Sequence, residues 1–156
     1  MRKLVFVALF FALIVSSCKK GEVYDAKKQM AIDEQIIKDF IAAKNLNAKR
    51  STNGVYYIIE NPGAGNVVYA GNTTVKAKYT GRLLNGTVFD SSAEGISFTL
   101  GRVIVGWQEG LQLIQKGGKI RLLIPSVLGY QNNSVGSIPP NSVLDFDVEL
   151  LDVTNP

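Results

Sequence analysis

The stretch Leu144-Asp145-Phe146-Asp147-Val148-Glu149-Leu150 alternates apolar and acidic side chains without a break. A period of two belongs to a strand, because successive side chains there point to opposite faces. The sheet this strand joins therefore has one apolar face that needs cover, while its other face carries carboxylates. The same alternation recurs upstream. Val75, Ala77 and Tyr79 alternate with Lys76, Lys78 and Thr80, and Ile96, Phe98 and Leu100 with Ser97 and Thr99. Ile120, Leu122 and Ile124 continue it up to Pro125, and Val55, Tyr57 and Ile59 follow it before the turn Asn61-Pro62-Gly63. Asn85-Gly86, flanked by Leu83-Leu84 and Val88-Phe89, is a strong hairpin signal. One short helix interrupts the strands: Trp107, Leu111 and Ile114 share a face, and Gly117 is placed to cap the end. That helix is the available cover for the apolar face. The predicted class is α+β, a curved antiparallel sheet wrapped over one short α-helix.

Before the strands the period is helical. Met30, Ile36, Ile37, Phe40, Ile41 and Leu46 fall largely on one stripe, with Lys27, Lys28, Asp33, Glu34, Lys38 and Lys44 elsewhere. Asp25 is the expected N-cap, and Asn45 or Asn47 marks the stop. Two roles are open for this amphipathic helix over 25–48: packing on the domain, or acting as a spacer that makes a weak dimer of an otherwise monomeric chain. Residues 47–54 are polar and read as a loop. A chain of 156 residues has room for one ordinary domain plus this appendage, and the domain is expected over 50–154.

The first residues have a different character. Met1-Arg2-Lys3 is a short cationic head, followed by an apolar run from Leu4 to Val15 and then Ser16-Ser17-Cys18. Twelve apolar residues fall short of the roughly 20 that span a bilayer as a helix, so 1–17 reads as a secretory signal. Val15-Ser16-Ser17-Cys18 resembles a bacterial lipobox, which implies acylation at Cys18, a tether over 18–24 and a membrane-anchored envelope lipoprotein. Several acyl chains, at about 0.8 kcal/mol per buried CH₂, hold firmly where one is marginal.

Composition excludes several chemistries. The formal charge of +4 includes Arg2 and Lys3, and no basic patch interleaved with aromatics points to nucleic acid. There is no histidine and only one cysteine, so His/Cys metal sites and Ser-His or Cys-His catalysis lack their parts. No cofactor is expected. What stands out is a set of apolar and aromatic residues where loops meet strands: Tyr79, Phe89, Phe98, Val103, Ile104, Trp107, Tyr130, Ile138 and Phe146. Taken singly, each is more readily explained by a core than by a site. Together they suggest an apolar pocket.

The order of the motifs goes further. Lys78-Tyr79-Thr80-Gly81, then Asn85 to Ser92 with Phe89-Asp90-Ser91-Ser92, then Leu100-Gly101-Arg102-Val103-Ile104-Val105-Gly106-Trp107-Gln108-Glu109-Gly110-Leu111 resemble the FKBP-type peptidyl-prolyl cis/trans isomerases. Lys116-Gly117-Gly118-Lys119, Ile124-Pro125, Ile138-Pro139-Pro140-Asn141 and the terminal strand complete the pattern in order. The lead-in helix is similar to that of isomerases related to the macrophage infectivity potentiators, whose helical dimerisation arm is longer. The resemblance implies proline-containing polypeptides as substrates and tacrolimus-type macrolides as ligands. It implies Trp107 as pocket floor, with Tyr79, Phe89, Phe98, Val103, Ile104 and Phe146 as walls. By the same resemblance Tyr130 offers a hydroxyl, the Ile138 N–H is a donor to substrate, and Asp90 orients and polarises at the rim. Two positions depart from the family: Gln131 stands where a glycine is usual, and Gly129 where an alanine is. A competing expectation is a binding module that captures proline-containing or unfolded segments, as a chaperone or as an accessory of an envelope machine such as a gliding-motility apparatus.

Overall fold

The computed structural model describes residues 23–156; the expected signal, Cys18 and most of the tether lie outside them. The first element is helix α1, Ala26–Ala43. Asp25 caps it, its Oδ1 accepting from the Lys27 and Lys28 N–H groups at 3.0 Å each. It stops three residues before Leu46. Asn45 takes φ +51°, while the Leu46 N–H returns to the Ile41 carbonyl and the Asn45 N–H to that of Ala42. That paired pattern satisfies the carbonyls a helix end leaves open.

Six strands follow in one antiparallel sheet: β1 Lys49–Arg50, β2 Tyr56–Asn61, β3 Thr74–Leu83, β4 Val88–Thr99, β5 Lys119–Ile124 and β6 Leu144–Thr154. Their spatial order is β1-β2-β5-β6-β3-β4. β1 lies in the stretch expected to be loop, pairing Lys49 with Tyr57 and Arg50 with Tyr56. A two-residue strand carries no periodicity for a sequence reading to find. The central strand β6 sets the register: Phe146 sits opposite Gly81 on β3 and Leu122 on β5, and Asp145 opposite Arg82 and Leu123.

Helix α2, Val105–Leu111, crosses the apolar face. It lies close to β5 because Gly106 and Gly110 face it. A Cβ on Gly106 would come within 2.4 Å of Ile124 Cγ2, and one on Gly110 within 2.5 Å of Leu122 Cδ2. The helix is shorter than its apolar spacing suggests, ending at Leu111 with Gln112 as its cap. Gly117 does not cap it. That residue, at φ +80°, instead occupies the third position of a turn closed by Gly118 N–H to Gln115 O, where a left-handed residue is required. Ile114 still reaches the core, from irregular backbone.

The second face of the sheet departs from the simple expectation. Asp145 was expected to face solvent, yet it is 1 % exposed. Its carboxylate is gripped by Arg82 Nε at 2.9 Å and by Arg121 Nε and Nη2 at 2.9 and 2.8 Å. Phe40 of α1 stacks over the Arg121 guanidinium, 5.9 Å from carbon to ring centroid. Ile37, Phe40 and Ile41 pack with Tyr56, Leu123, Val143 and Leu84 into a second apolar cluster. α1 therefore docks on the sheet of its own chain through Ile37, Phe40, Ile41 and the following Leu46, while Ile36 of the predicted stripe stays exposed. Asp33, expected among the polar positions, is wholly buried in this contact.

Candidate functional site

The inner face of the sheet, α2 and the segment between β5 and β6 enclose a cavity of about 440 Å³. All ten pocket residues expected from the sequence line it: Tyr79, Phe89, Asp90, Phe98, Val103, Ile104, Trp107, Tyr130, Ile138 and Phe146. They come from different elements. β3 contributes Tyr79, β6 contributes Phe146, and β4 contributes Phe98 together with the adjacent Phe89 and Asp90, which can share one side because the register with β3 shifts there, Gly81 lying opposite Asp90 and Arg82 opposite Val88. Trp107 comes from α2, while Val103 and Ile104 precede that helix.

Trp107 is 4 % exposed and is the hub of the aromatic cluster. Tyr79, Phe98 and Phe146 each meet it at steep interplanar angles, with centroids 5.2, 5.4 and 5.4 Å away. Phe89 stands edge-on to Phe146 at 5.4 Å. Edge-to-face contacts are the favoured geometry for aromatic quadrupoles, worth roughly 0.5–1.5 kcal/mol each beyond burial. They fix a rigid apolar floor and wall. Gly81 makes room for that wall: a Cβ there would come within 2.5 Å of the Phe146 ring and 2.7 Å of the Phe89 ring.

Polar groups on the cavity wall are few. Tyr79 Oη donates to Asp90 Oδ2 at 2.7 Å, so the carboxylate is held by the wall beneath it. Burial first, then that bond and the Asp90 charge, push the Tyr79 phenol up to about 12. Burial and the nearby Asp90 charge raise the Tyr130 phenol too, and the Tyr130 hydroxyl has no hydrogen-bond partner among the described residues. One expectation fails. The Ile138 N–H, expected to face substrate, donates to Val135 O at 2.9 Å in a small bridge whose other bond runs from Val135 N–H to Ile138 O. Ile104, the residue preceding α2 on the same wall, carries a backbone N–H for which no acceptor is found among the described residues. A helix start leaves such N–H groups open, which a sequence motif does not display.

The structure adds Arg102, Val135, Gly136 and Ser137 to the lining. Arg102 lies inside the motif run and is the cation of the rim. The other three sit on the polar loop 131–137, which the family resemblance implies lies against substrate. Gln131 adopts φ +57°, so the left-handed conformation that a glycine favours is kept by a residue with a side chain. Its N–H donates to Ser126 O and its carbonyl accepts from the Asn141 N–H, both at 2.8 Å.

Comparison with known proteins agrees with this geometry. Residues 67–151 match the model of the FKBP-type peptidyl-prolyl cis-trans isomerase domain. The chain belongs to that family. It is 41% identical over 145 residues to the isomerase FkpA of Buchnera aphidicola subsp. Schizaphis graminum, covering 90% of this chain and 57% of the relative. The crystal structure of FkpA from Escherichia coli superposes with a TM-score of 0.71 at 43% identity, over 83% of this chain and 61% of that one. A peptidyl-prolyl cis-trans isomerase structure from Pseudomonas syringae pv. tomato matches with a TM-score of 0.69 at 30% identity, over 86% of this chain and all of the other. The chain spans about half the length of the curated relatives it matches.

Proposed function

We propose that the chain accelerates cis/trans isomerisation of Xaa-Pro bonds in exported polypeptides. The observation that carries this is the cavity itself: a rigid aromatic floor with a free hydroxyl and a free N–H on its walls. Rotation about a prolyl bond faces a barrier of roughly 18–20 kcal/mol because amide resonance must be broken. No bond to a nucleophile need form in this step. Catalysis asks only that the twisted amide be favoured over the planar one, each tenfold in rate needing about 1.4 kcal/mol of such preference.

The proline ring would sit on Trp107, stripped of water by Tyr79, Phe98 and Phe146. Leaving water disfavours the charge-separated planar amide more than the twisted one. The Tyr130 hydroxyl and the Ile104 N–H are the donors for substrate carbonyls, and Asp90, fixed by Tyr79, orients the chain at the rim. A macrolide of the tacrolimus type would compete for the same cavity. At the other end of the protein, acylation of Cys18 would tether the isomerase to a membrane of the bacterial envelope.

An isomerisation assay on a short Xaa-Pro peptide, with and without such a macrolide, tests the activity. No acceleration at micromolar protein refutes it. Should a pocket variant lose isomerisation yet still suppress aggregation of an unfolded client, isomerisation and client binding lie on separate surfaces. Cys18→Ala should release the protein from the membrane fraction; continued membrane binding would remove lipidation as the cause.

A further inference from the structure

Asp33 is a carboxylate with no exposed surface, on a helix that contributes nothing to the lining of the cavity. Burying an ionisable group is costly unless each oxygen is bonded. Here Oδ1 accepts from Gln29 Nε2 at 2.8 Å, while Oδ2 accepts from both the N–H and the Oγ–H of Ser126, at 2.7 and 2.6 Å. The Tyr24 hydroxyl, shielded from solvent, lies beside the same pair. Ser126, itself without exposed surface, opens a short 3-10 turn, Ser126–Leu128. Its carbonyl accepts from the N–H groups of Gly129 and Gln131, at 2.9 and 2.8 Å. Those two residues flank Tyr130.

One residue is thus held at its N–H and hydroxyl by α1 and, through its carbonyl, holds the backbone on both sides of Tyr130. We propose that Asp33 is a positioning residue for the site: through Ser126 it sets the place of the Tyr130 hydroxyl, making the N-terminal helix a working part of the prolyl pocket. The activity half of this rests on the function proposed above, with Tyr130 as a substrate donor; the mechanical half does not. A helix docked only for stability needs apolar contact, which Ile37, Phe40 and Ile41 supply. A buried acid bonded twice to the root of the substrate loop is an additional and more costly device.

The full-length protein carrying Asp33→Ala, Asp33→Asn, Ser126→Ala or Phe40→Ala is examined by amide hydrogen exchange and by isomerisation kinetics at temperatures where each is folded. Phe40→Ala loosens α1 without touching Ser126. With Asp33→Ala, exchange at Gly129 and Gln131 should quicken about tenfold or more, and with Ser126→Ala, which keeps the backbone bond to Asp33, by a smaller factor, while β5 amides exchange as before. kcat/KM for an Xaa-Pro peptide should fall about tenfold, mainly through KM, with Asp33→Asn recovering part of the loss. Phe40→Ala should change neither the Gln131 amide nor KM by more than about twofold. Native exchange at Gln131 in a folded Asp33→Ala protein overturns the proposal, as does a Phe40→Ala protein that reproduces the defect. If the unaltered protein shows no isomerase activity, the proposed function fails, and the exchange measurement still decides whether Asp33 holds the loop.

Discussion

The bond between Tyr79 and Asp90 ties a pocket wall to the rim carboxylate, and its consequences are open to a quantitative check. Replacing Tyr79 by Phe removes the hydroxyl that donates to Asp90 Oδ2 at 2.7 Å and leaves the ring in place. A bond to a charged acceptor contributes about 1.5–3 kcal/mol; with Asp90 at the solvent rim, about 1.5 kcal/mol is expected at pH 7. The phenol, raised from 10.0 to about 12 by burial and by Asp90, adds a second signature. A group whose pKa is raised on folding contributes stability below its unfolded pKa and loses it as pH climbs toward the folded value. The contribution of Tyr79 is therefore complete below about pH 9 and declines from pH 10 to 12. By pH 11 about 1.4 kcal/mol of it has gone.

Urea unfolding of the native protein and Tyr79→Phe at several pH values from 7 to 11 isolates this term, since the other tyrosines are common to both. The stability gap should stay near 1.5 kcal/mol to about pH 9 and close to nearly zero by pH 11. A gap that is constant with pH would refute the coupling. In a double-mutant cycle with Asp90→Asn at pH 7, an interaction energy indistinguishable from zero would show that the bond holds nothing in place.

Other substitutions probe separate layers. Trp107→Phe should keep the fold but lower kcat/KM on an Xaa-Pro peptide about tenfold, because the floor shrinks while its edge-on neighbours remain; unchanged kinetics would remove Trp107 from the site. Asp145→Ala leaves Arg82 and Arg121 without their buried anion and should cost about 3 kcal/mol in urea unfolding, with a cost under 1 kcal/mol contradicting the assignment. Gln131→Gly should stabilise the chain by up to about 1 kcal/mol, since φ +57° strains a side chain but not glycine; Gln131→Ala should give no such gain.

Much of this protein is written in local pattern. Strand alternation determined which side chains of β3, β5 and β6 face the core, because a period of two is a property of the extended backbone; on β4 register shifts break it, so that Ile96 is exposed while adjacent Phe89 and Asp90 both reach the cavity. The Asp25 cap was equally legible, since capping uses only neighbouring residues, whereas the stop was narrowed only to Asn45 or Asn47, of which Asn45 takes the left-handed turn. The ordered motifs determined the family, and with it ten residues that the fold brings to one cavity. What the chain alone left open concerns partners distant in sequence. Nothing near Asp145 announces that Arg82, Arg121 and Phe40 will bury it, although its neighbours Asp147 and Glu149 read identically along the strand. Asp33 gave one overlooked sign, a carboxylate four residues before Ile37 on the helix's apolar stripe. Its meaning depends on Ser126, 93 residues later. The same holds for the donors: whether Ile138 or Ile104 keeps a free N–H depends on which carbonyl comes within reach. Periodicity reports which way a side chain points, and only the closed tertiary structure decides what it meets there.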